Sequence, residues 1–186
     1  MTTKPVLVTG STGYVGGRLV PKLLDSGYRV RALGRSISKL KALPWANHPL
    51  VELAAGDVLN YESLLNATEG CRAAFYLVHS MVADPKGFIE TDRTAAQNMA
   101  RAAAVAGLEH IIYLGGLGST EDPLLSQHLR SRHEVAGILQ SGPVPTTLLR
   151  AAMILGSGSA SFEILRYLVD RLPVMVTPRW VQNPRR

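Results

Sequence analysis

The stretch Val6-Leu7-Val8-Thr9-Gly10-Ser11-Thr12-Gly13-Tyr14-Val15-Gly16-Gly17 constrains this chain more than any other: a short apolar run breaks into glycines three apart, then opens an amphipathic segment. The run reads as a buried strand, and Val15, Leu19, Val20, Leu23 and Leu24 share one face of the helix that follows. Strand, glycine turn and helix, in that order, are what a dinucleotide pyrophosphate requires. Gly10 can turn sharply off the strand, Gly13 has no side chain to hold the backbone away from a phosphate, and Gly16 lets the helix lie close against the sheet. The anion then meets unpaired N–H groups at a helix start, where backbone dipoles favour negative charge. Gly10, Ser11, Thr12, Gly13, Tyr14, Val15 and Gly16 are therefore the candidate contacts. Glycine spacing alone says little in a chain with 17 glycines; its place between strand and helix gives it meaning. Gly27 is placed to end this helix, and Pro21 is expected to kink it, at up to ~3 kcal/mol.

Short β-branched or aromatic runs alternate with longer amphipathic stretches from start to finish. The pattern predicts strands over 6–9, 29–33, 51–54, 74–79, 111–114 and 146–149, and helices over 14–26, 38–43, 61–67, 88–106, 126–140 and 161–171. Six βα units imply an α/β fold of three layers, a doubly wound parallel sheet of Rossmann type with ligands at the carboxyl ends of the strands. Residues 1–155 read as the nucleotide-binding domain, and 156–186 as the start of a substrate-side region that the chain leaves incomplete. The fourth helix is rich in alanine, which permits close packing on the sheet or on a partner such as a second copy.

The 186 residues are 46% hydrophobic and 18% charged, which suits one compact domain with a small appendage. No apolar run approaches the ~18 residues that cross a bilayer, residues 1–8 lack the apolar core of a signal peptide, and a cytoplasmic protein is expected. Cys71 stands alone and reads as an inert buried thiol; Asn66-Ala67-Thr68 matches a glycosylation acceptor by chance. The net charge of +6 admits nucleic acid, an acidic membrane or a phosphorylated ligand. Neither a helix-turn-helix nor an aromatic RNA-binding strand nor zinc-finger spacing is present, so no nucleic-acid partner is expected. Arg29, Arg31, Arg35, Lys39 and Lys41 form a block without an acid, either a solvated face or the place where the second strand meets an adenosine ribose.

The motif Thr9 to Gly16, Gly56-Asp57 after the third strand, and Ser141-Gly142-Pro143 leading into Leu148-Leu149-Arg150 resemble the short-chain dehydrogenase/reductase superfamily, in its extended and atypical, NmrA-like branch. The resemblance implies that Asp57 accepts a hydrogen bond from the adenine amino group and that Val58 packs on the ring; an ordinary helix N-cap is the other reading of Asp57. An NAD-preferring site puts an acid at the end of the second strand. Here Arg35 and Ser36, supported by Lys39, offer a planar donor fork and a hydroxyl, which suits the 2′-phosphate of NADP better, with NAD the alternative cofactor.

Reductases of this superfamily use a tyrosine, a lysine four residues later and a serine after the fifth strand. Here His128 and Arg132 stand at the tyrosine and lysine positions, and Gly115-Gly116 replaces the serine pair, with Ser119 the nearest hydroxyl. His128 is the candidate proton-transfer group, and Arg132 would bias it towards its neutral form and bond the nicotinamide ribose. His79 and Ser80 fall beside that ribose, Asn98 is either a backbone support or an exposed polar residue, and Tyr113 reads as core. Gly156-Ser157-Gly158-Ser159 either touches the carboxamide end of the cofactor or is a plain loop, and no metal-ligand grouping is visible. The chain thus reads as an NADP-dependent oxidoreductase of atypical type acting on an unidentified carbonyl-like small molecule. The alternative is a non-catalytic NADP-sensing regulator or assembly protein with a protein partner.

Overall fold

The computed structural model describes residues 4–79, 85–118, 125–152 and 154–172. Strands and helices alternate: β1 (Val6–Val8), α1 (Tyr14–Asp25), β2 (Val30–Gly34), α2 (Ile37–Lys41), β3 (Val51–Ala55), α3 (Tyr61–Thr68), β4 (Ala73–Tyr76), α4 (Pro85–Ala106), β5 (His110–Gly116), α5 (Gln127–Ser141), β6 (Thr146–Ala151) and α6 (Ala160–Arg171). The strands form one parallel sheet in the order β3-β2-β1-β4-β5-β6. This is the Rossmann arrangement, with its reversal of direction between β1 and β4. Met1–Ala152 forms one compact unit and Met153–Arg186 a second.

Strands covered on both faces carry apolar residues at successive positions, and alternate side chains serve opposite layers. Leu7, Leu33, Ala74 and Tyr76 pack with Leu64 of α3, Met99 of α4 and Leu139 of α5. Val8, Val30, Ala32 and Phe75 pack with Val20 and Leu24 of α1 and Leu40 of α2. The alanines of α4 lie mostly on the sheet side, where Ala96, Ala102 and Ala103 are fully buried. Cys71 is buried too, and desolvation raises its thiol to about 11, far from the thiolate that would make it reactive.

Several element ends differ from expectation for reasons of pairing. β4 stops at Tyr76 rather than residue 79, because its neighbour β1 is three residues long and ends opposite Phe75. The chain then leaves the sheet, which frees Val78 and His79 from the ladder. β5 and β6 run further, pairing Gly115 with Arg150 and Gly116 with Ala151. Helix α1 continues through Pro21 without interruption, and the carbonyl that loses its N–H partner there belongs to Gly17. Gly27, at φ +78°, ends it in a left-handed turn in which its N–H bonds to Leu24 and that of Tyr28 to Leu23. In the second unit, Ser159 caps α6 by accepting from the Phe162 N–H at 3.2 Å. Among the described residues no helix is long and apolar enough to cross a membrane.

Leu64 is fully buried between α3 and the sheet. Leu64→Ala is expected to cost about 2–5 kcal/mol, read as a lowered denaturation midpoint with an unchanged slope.

Candidate functional site

The site begins where β1 ends. The fully buried Thr9 accepts from the Leu77 N–H at 3.0 Å and donates to the Phe75 carbonyl at 3.2 Å, so its hydroxyl ties the end of β1 to β4. Gly10 follows at φ +68°, where a Cβ would also lie 3.3 Å from the Leu77 carbonyl oxygen. Its own carbonyl accepts from the Gly13 N–H at 2.9 Å. A Cβ on Gly13 would approach that oxygen to 3.1 Å, and one on Gly16 would collide with it outright. Gly16 thus packs the first turn of α1 onto the glycine turn itself rather than onto the sheet. Ser11 is buried with its hydroxyl on the Val8 carbonyl at 2.6 Å, while Thr12 and Gly13 are reached by solvent.

Gly13 starts α1 with no side-chain cap. Ser36, Asn60, Ser126 and Ser159 each close their helices by accepting a backbone N–H. At α1 the first N–H groups keep their capacity for an anion, beside glycines that clear its approach. A dinucleotide diphosphate fits this cradle, in which Tyr14 and Val15 form the first helical residues. The Arg18 guanidinium lies 3.8 Å from the centroid of the Tyr14 ring.

From this turn a crevice of about 490 Å³ opens along the carboxyl ends of the strands, lined by Gly10 and Thr12, by Leu33, Gly34 and Arg35, by Gly56 to Leu59, by Val78 and His79, and by Thr91, Asp92 and Ala95. That is the size of a small-molecule or cofactor site. It brings together Gly10, Thr12, Arg35, Asp57, Val58 and His79 of the residues singled out in the sequence. Ser36 lies just outside, capping α2 and bonded to the Ser38 hydroxyl at 2.8 Å. The basic block divides. Arg29 and Arg31 both bind Glu52, at 2.9 and 2.8 Å, and Arg31 also bonds the Ala67 and Glu69 carbonyls. The Arg29 bond leads in holding the Glu52 carboxyl below its usual range. These two arginines stabilise the amino-terminal half of β2 and β3, and Arg35 alone of the block lines the crevice.

The N-cap reading of Asp57 is corrected: Asn60 caps α3, accepting from the Ser63 N–H at 3.0 Å. Asp57 instead accepts from the Leu59 N–H at 3.0 Å, and Ser63 braces its backbone. Asn98 reaches across from α4 and donates to the Val58 and Leu59 carbonyls at 3.0 and 3.1 Å. It therefore supports the backbone of the crevice wall after β3.

At the other end His79 meets His128 edge to face, with centroids 6.2 Å apart, and Phe88 packs against His128 at 6.1 Å. Burial first, then the charge of Arg132, pushes the His79 imidazole down to about 4, against the opposing pull of Asp92. The same influences lower His128, which lies at the surface. Arg132 donates to the Leu114 carbonyl at 3.5 Å, while its buried Nε lacks a hydrogen-bond partner. Gly116, at the expected serine position, lies against Leu129: a Cβ there would meet Leu129 Cδ2 at 2.5 Å, so the end of that side chain would have to move. Tyr113 is core, its ring centroid 5.9 Å from that of Tyr76. Ser80 and Ser119 lie outside the described residues.

Asp92 is not legible as a site residue in the sequence, although Asp92, Ala95, Ala96 and Met99 at helical spacing mark one buried face of α4. Thr9 reads there as an ordinary strand-end residue, and no local pattern announces its bridge to β4.

Two outcomes test this geometry. Gly16→Ala should displace the turn, lower stability by about 1–3 kcal/mol and weaken NADPH binding at least about tenfold in a fluorescence titration. Between pH 6.5 and about 4 the unfolded chain takes up a proton that folded His79 refuses, so stability falls as pH drops through that window. His79→Gln should flatten this decline in denaturation midpoints measured against pH.

A family model described as NAD(P)H-binding matches residues 10–165. The chain is 31% identical over 119 residues to cinnamoyl-CoA reductase 1 of Petunia hybrida, a match covering 61% of this chain and 35% of that protein. The triphenylmethane reductase of Citrobacter sp., solved in complex with NADP(H), aligns with a TM-score of 0.71 at 24% identity, over 89% of this chain and 55% of that one. A mutant form of NmrA aligns with a TM-score of 0.64 at 25% identity, over 80% of this chain and 45% of that one. The chain spans about a third of the length of the curated relatives it matches and about half of the solved chains. A cradle of side-chain-free residues under an uncapped helix, and a family match that spans the whole crevice, make this chain a member of the NAD(P)H-binding family, with NmrA among its structural neighbours.

Proposed function

We propose that the chain binds NADP(H) in preference to NAD(H) and serves a reductase acting on a small carbonyl compound. The observation that carries the preference is Arg35 at the carboxyl end of β2, exposed and lining the crevice, with Gly34 and Ser36 beside it and no carboxylate among the three. An acid there would bind both ribose hydroxyls and repel a 2′-phosphate, whereas a guanidinium bonds that phosphate with two parallel N–H groups. Gly10 to Gly16 would hold the diphosphate, and Asp57 and Val58 the adenine, on a backbone that Asn98 keeps in place.

When bound, the dinucleotide supplies a hydride at its nicotinamide ring. The chain's part at that end falls to His79, His128 and Arg132. Arg132 would bond the nicotinamide ribose. Burial and the charge of Arg132 lower His128, so it is neutral near pH 7 and would act as the base that takes the hydroxyl proton in the alcohol-oxidising direction, becoming imidazolium and passing that proton on to solvent. Phe88 and His79 restrict water on one side of that ring.

One observation favours a second reading, a non-catalytic NADP-sensing or assembly protein: position 116 is a glycine, and the Leu129 side chain lies where a Cβ there would stand. NADPH consumption over a panel of ketones, aldehydes and quinones, set beside a binding titration, separates the two. Turnover that His128→Ala abolishes supports the reductase, and tight binding without turnover supports the sensor.

Arg35→Ala is expected to weaken NADPH binding about 10–100-fold and to leave NADH binding within about twofold, the loss of a charge-assisted hydrogen-bonded pair. Equal losses for the two coenzymes would overturn the preference.

A further inference from the structure

The turn between β3 and α3 displays a large apolar side chain to the crevice. Leu59 is 44% exposed and lines the cavity, alone in this among the exposed large apolar side chains of the described residues. Val58, which the resemblance packs on the adenine ring, also lines the cavity but is 8% exposed, held in the core with Leu33, Leu64 and Met99. Val58 thus offers an edge where Leu59 offers a whole side chain. Single exposed leucines are ordinary on a protein surface, so exposure by itself assigns nothing.

What sets Leu59 apart is how its backbone is held. The Asn60 N–H closes on the Asp57 carbonyl at 2.9 Å, which makes a turn with Val58 and Leu59 at its centre. The Leu59 N–H donates to Asp57 Oδ1 at 3.0 Å, and its carbonyl accepts from Asn98 Nδ2 of α4 at 3.1 Å. The same amide group of Asn98 donates to the Val58 carbonyl at 3.0 Å. Further along α4, the Arg101 guanidinium lies 4.1 Å from the centroid of the Tyr61 ring, a second tie between that helix and this segment. Turn and helix together therefore hold an apolar side chain out to water at the wall of a cavity. Covering it is favourable, and a backbone already fixed loses little freedom when that happens.

We infer that Leu59 is a binding residue of the adenine subsite, an apolar lip that covers one face of the base, and that Asn98 is its positioning residue. A purine is apolar on its faces and polar at its edges, so a site for it needs an apolar cover as well as a hydrogen-bond acceptor. One turn supplies both. The carboxylate that the resemblance gives to the adenine amino group also holds the Leu59 N–H, so the edge contact and the face contact are set together.

The inference rests on the crevice being a nicotinamide dinucleotide site, and the two can fail separately. The probes are NADPH, NADH and 2′,5′-ADP, an adenine fragment without the nicotinamide, titrated by calorimetry against the 186-residue chain. Leu59→Ala is expected to weaken all three by one common factor, about 5–10-fold, the loss of half a leucine's burial. The denaturation midpoint should stay in place, because the side chain is half exposed in the free protein. Leu59→Met keeps the apolar volume and is expected to recover most of the affinity. A common factor also separates Leu59 from Arg35, whose replacement distinguishes the two coenzymes. Asn98→Ala is expected to weaken the same probes, and its effect should shrink in a chain that already carries Leu59→Ala, since it acts through that side chain. Unchanged binding of NADPH and 2′,5′-ADP by Leu59→Ala would sink the inference, and an undiminished Asn98→Ala loss in the double variant would remove the role given to Asn98. If the unaltered chain binds none of the three probes, the nucleotide reading itself is wrong and the lip falls with it.

Discussion

Everything at the top of this sheet depends on how closely the first turn of α1 is pressed onto the turn after β1. The Gly10 carbonyl accepts the Gly13 N–H and sits where a Cβ of Gly16 would have to be, so the helix axis can reach this position only with glycine at both ends of the contact. Thr9 completes the junction by tying β1 to β4 through one buried hydroxyl. The two strands leave in opposite crossover directions from that point, and the crevice is the space between them. A side chain at position 16 would push the helix away from the turn, while one at position 10 would press on the Leu77 carbonyl in the segment after β4.

The crevice has two ends of different physical character, and the difference comes from burial. At the β2 end Arg35 stands exposed and charged, able to meet a phosphate without first losing its hydration entirely. At the β4 end His79 is half-buried, and its desolvation outweighs the neighbouring charges in lowering its proton affinity. There His79 meets the exposed ring of His128, and Asp92 of α4 is bonded to Ser131 of α5.

Much of this is legible in the sequence. The alternation of apolar runs and amphipathic stretches specifies six strands and six helices in the right order, because each local pattern is imposed by the layer it must bury. The glycine turn, Arg35 and Asp57 stand out because each sits at a strand end, where loops of such a sheet carry ligands. The differences lie where the deciding partner is distant in sequence. Arg29 and Arg31 resemble Arg35 in type and neighbourhood, yet Glu52 on the adjacent strand takes them both. Asp57 and Asn60 are equally good capping residues, and the geometry of the turn before α3 chose the second.

The sequence by itself determined the kind of fold and the kind of ligand. Both follow from local rules, the period of apolar residues and the few residue types that can occupy a tight turn beside a phosphate. Only the tertiary structure decided which polar groups meet. His79 and His128 are 49 positions apart, and Ser131 and Asp92 are 39 apart, and nothing in either neighbourhood signals the other. Their encounter depends on the packing of α4 against α5 and of both on β4 and β5. That packing is fixed by close contacts among alanines, leucines and tyrosines that carry no chemical message of their own.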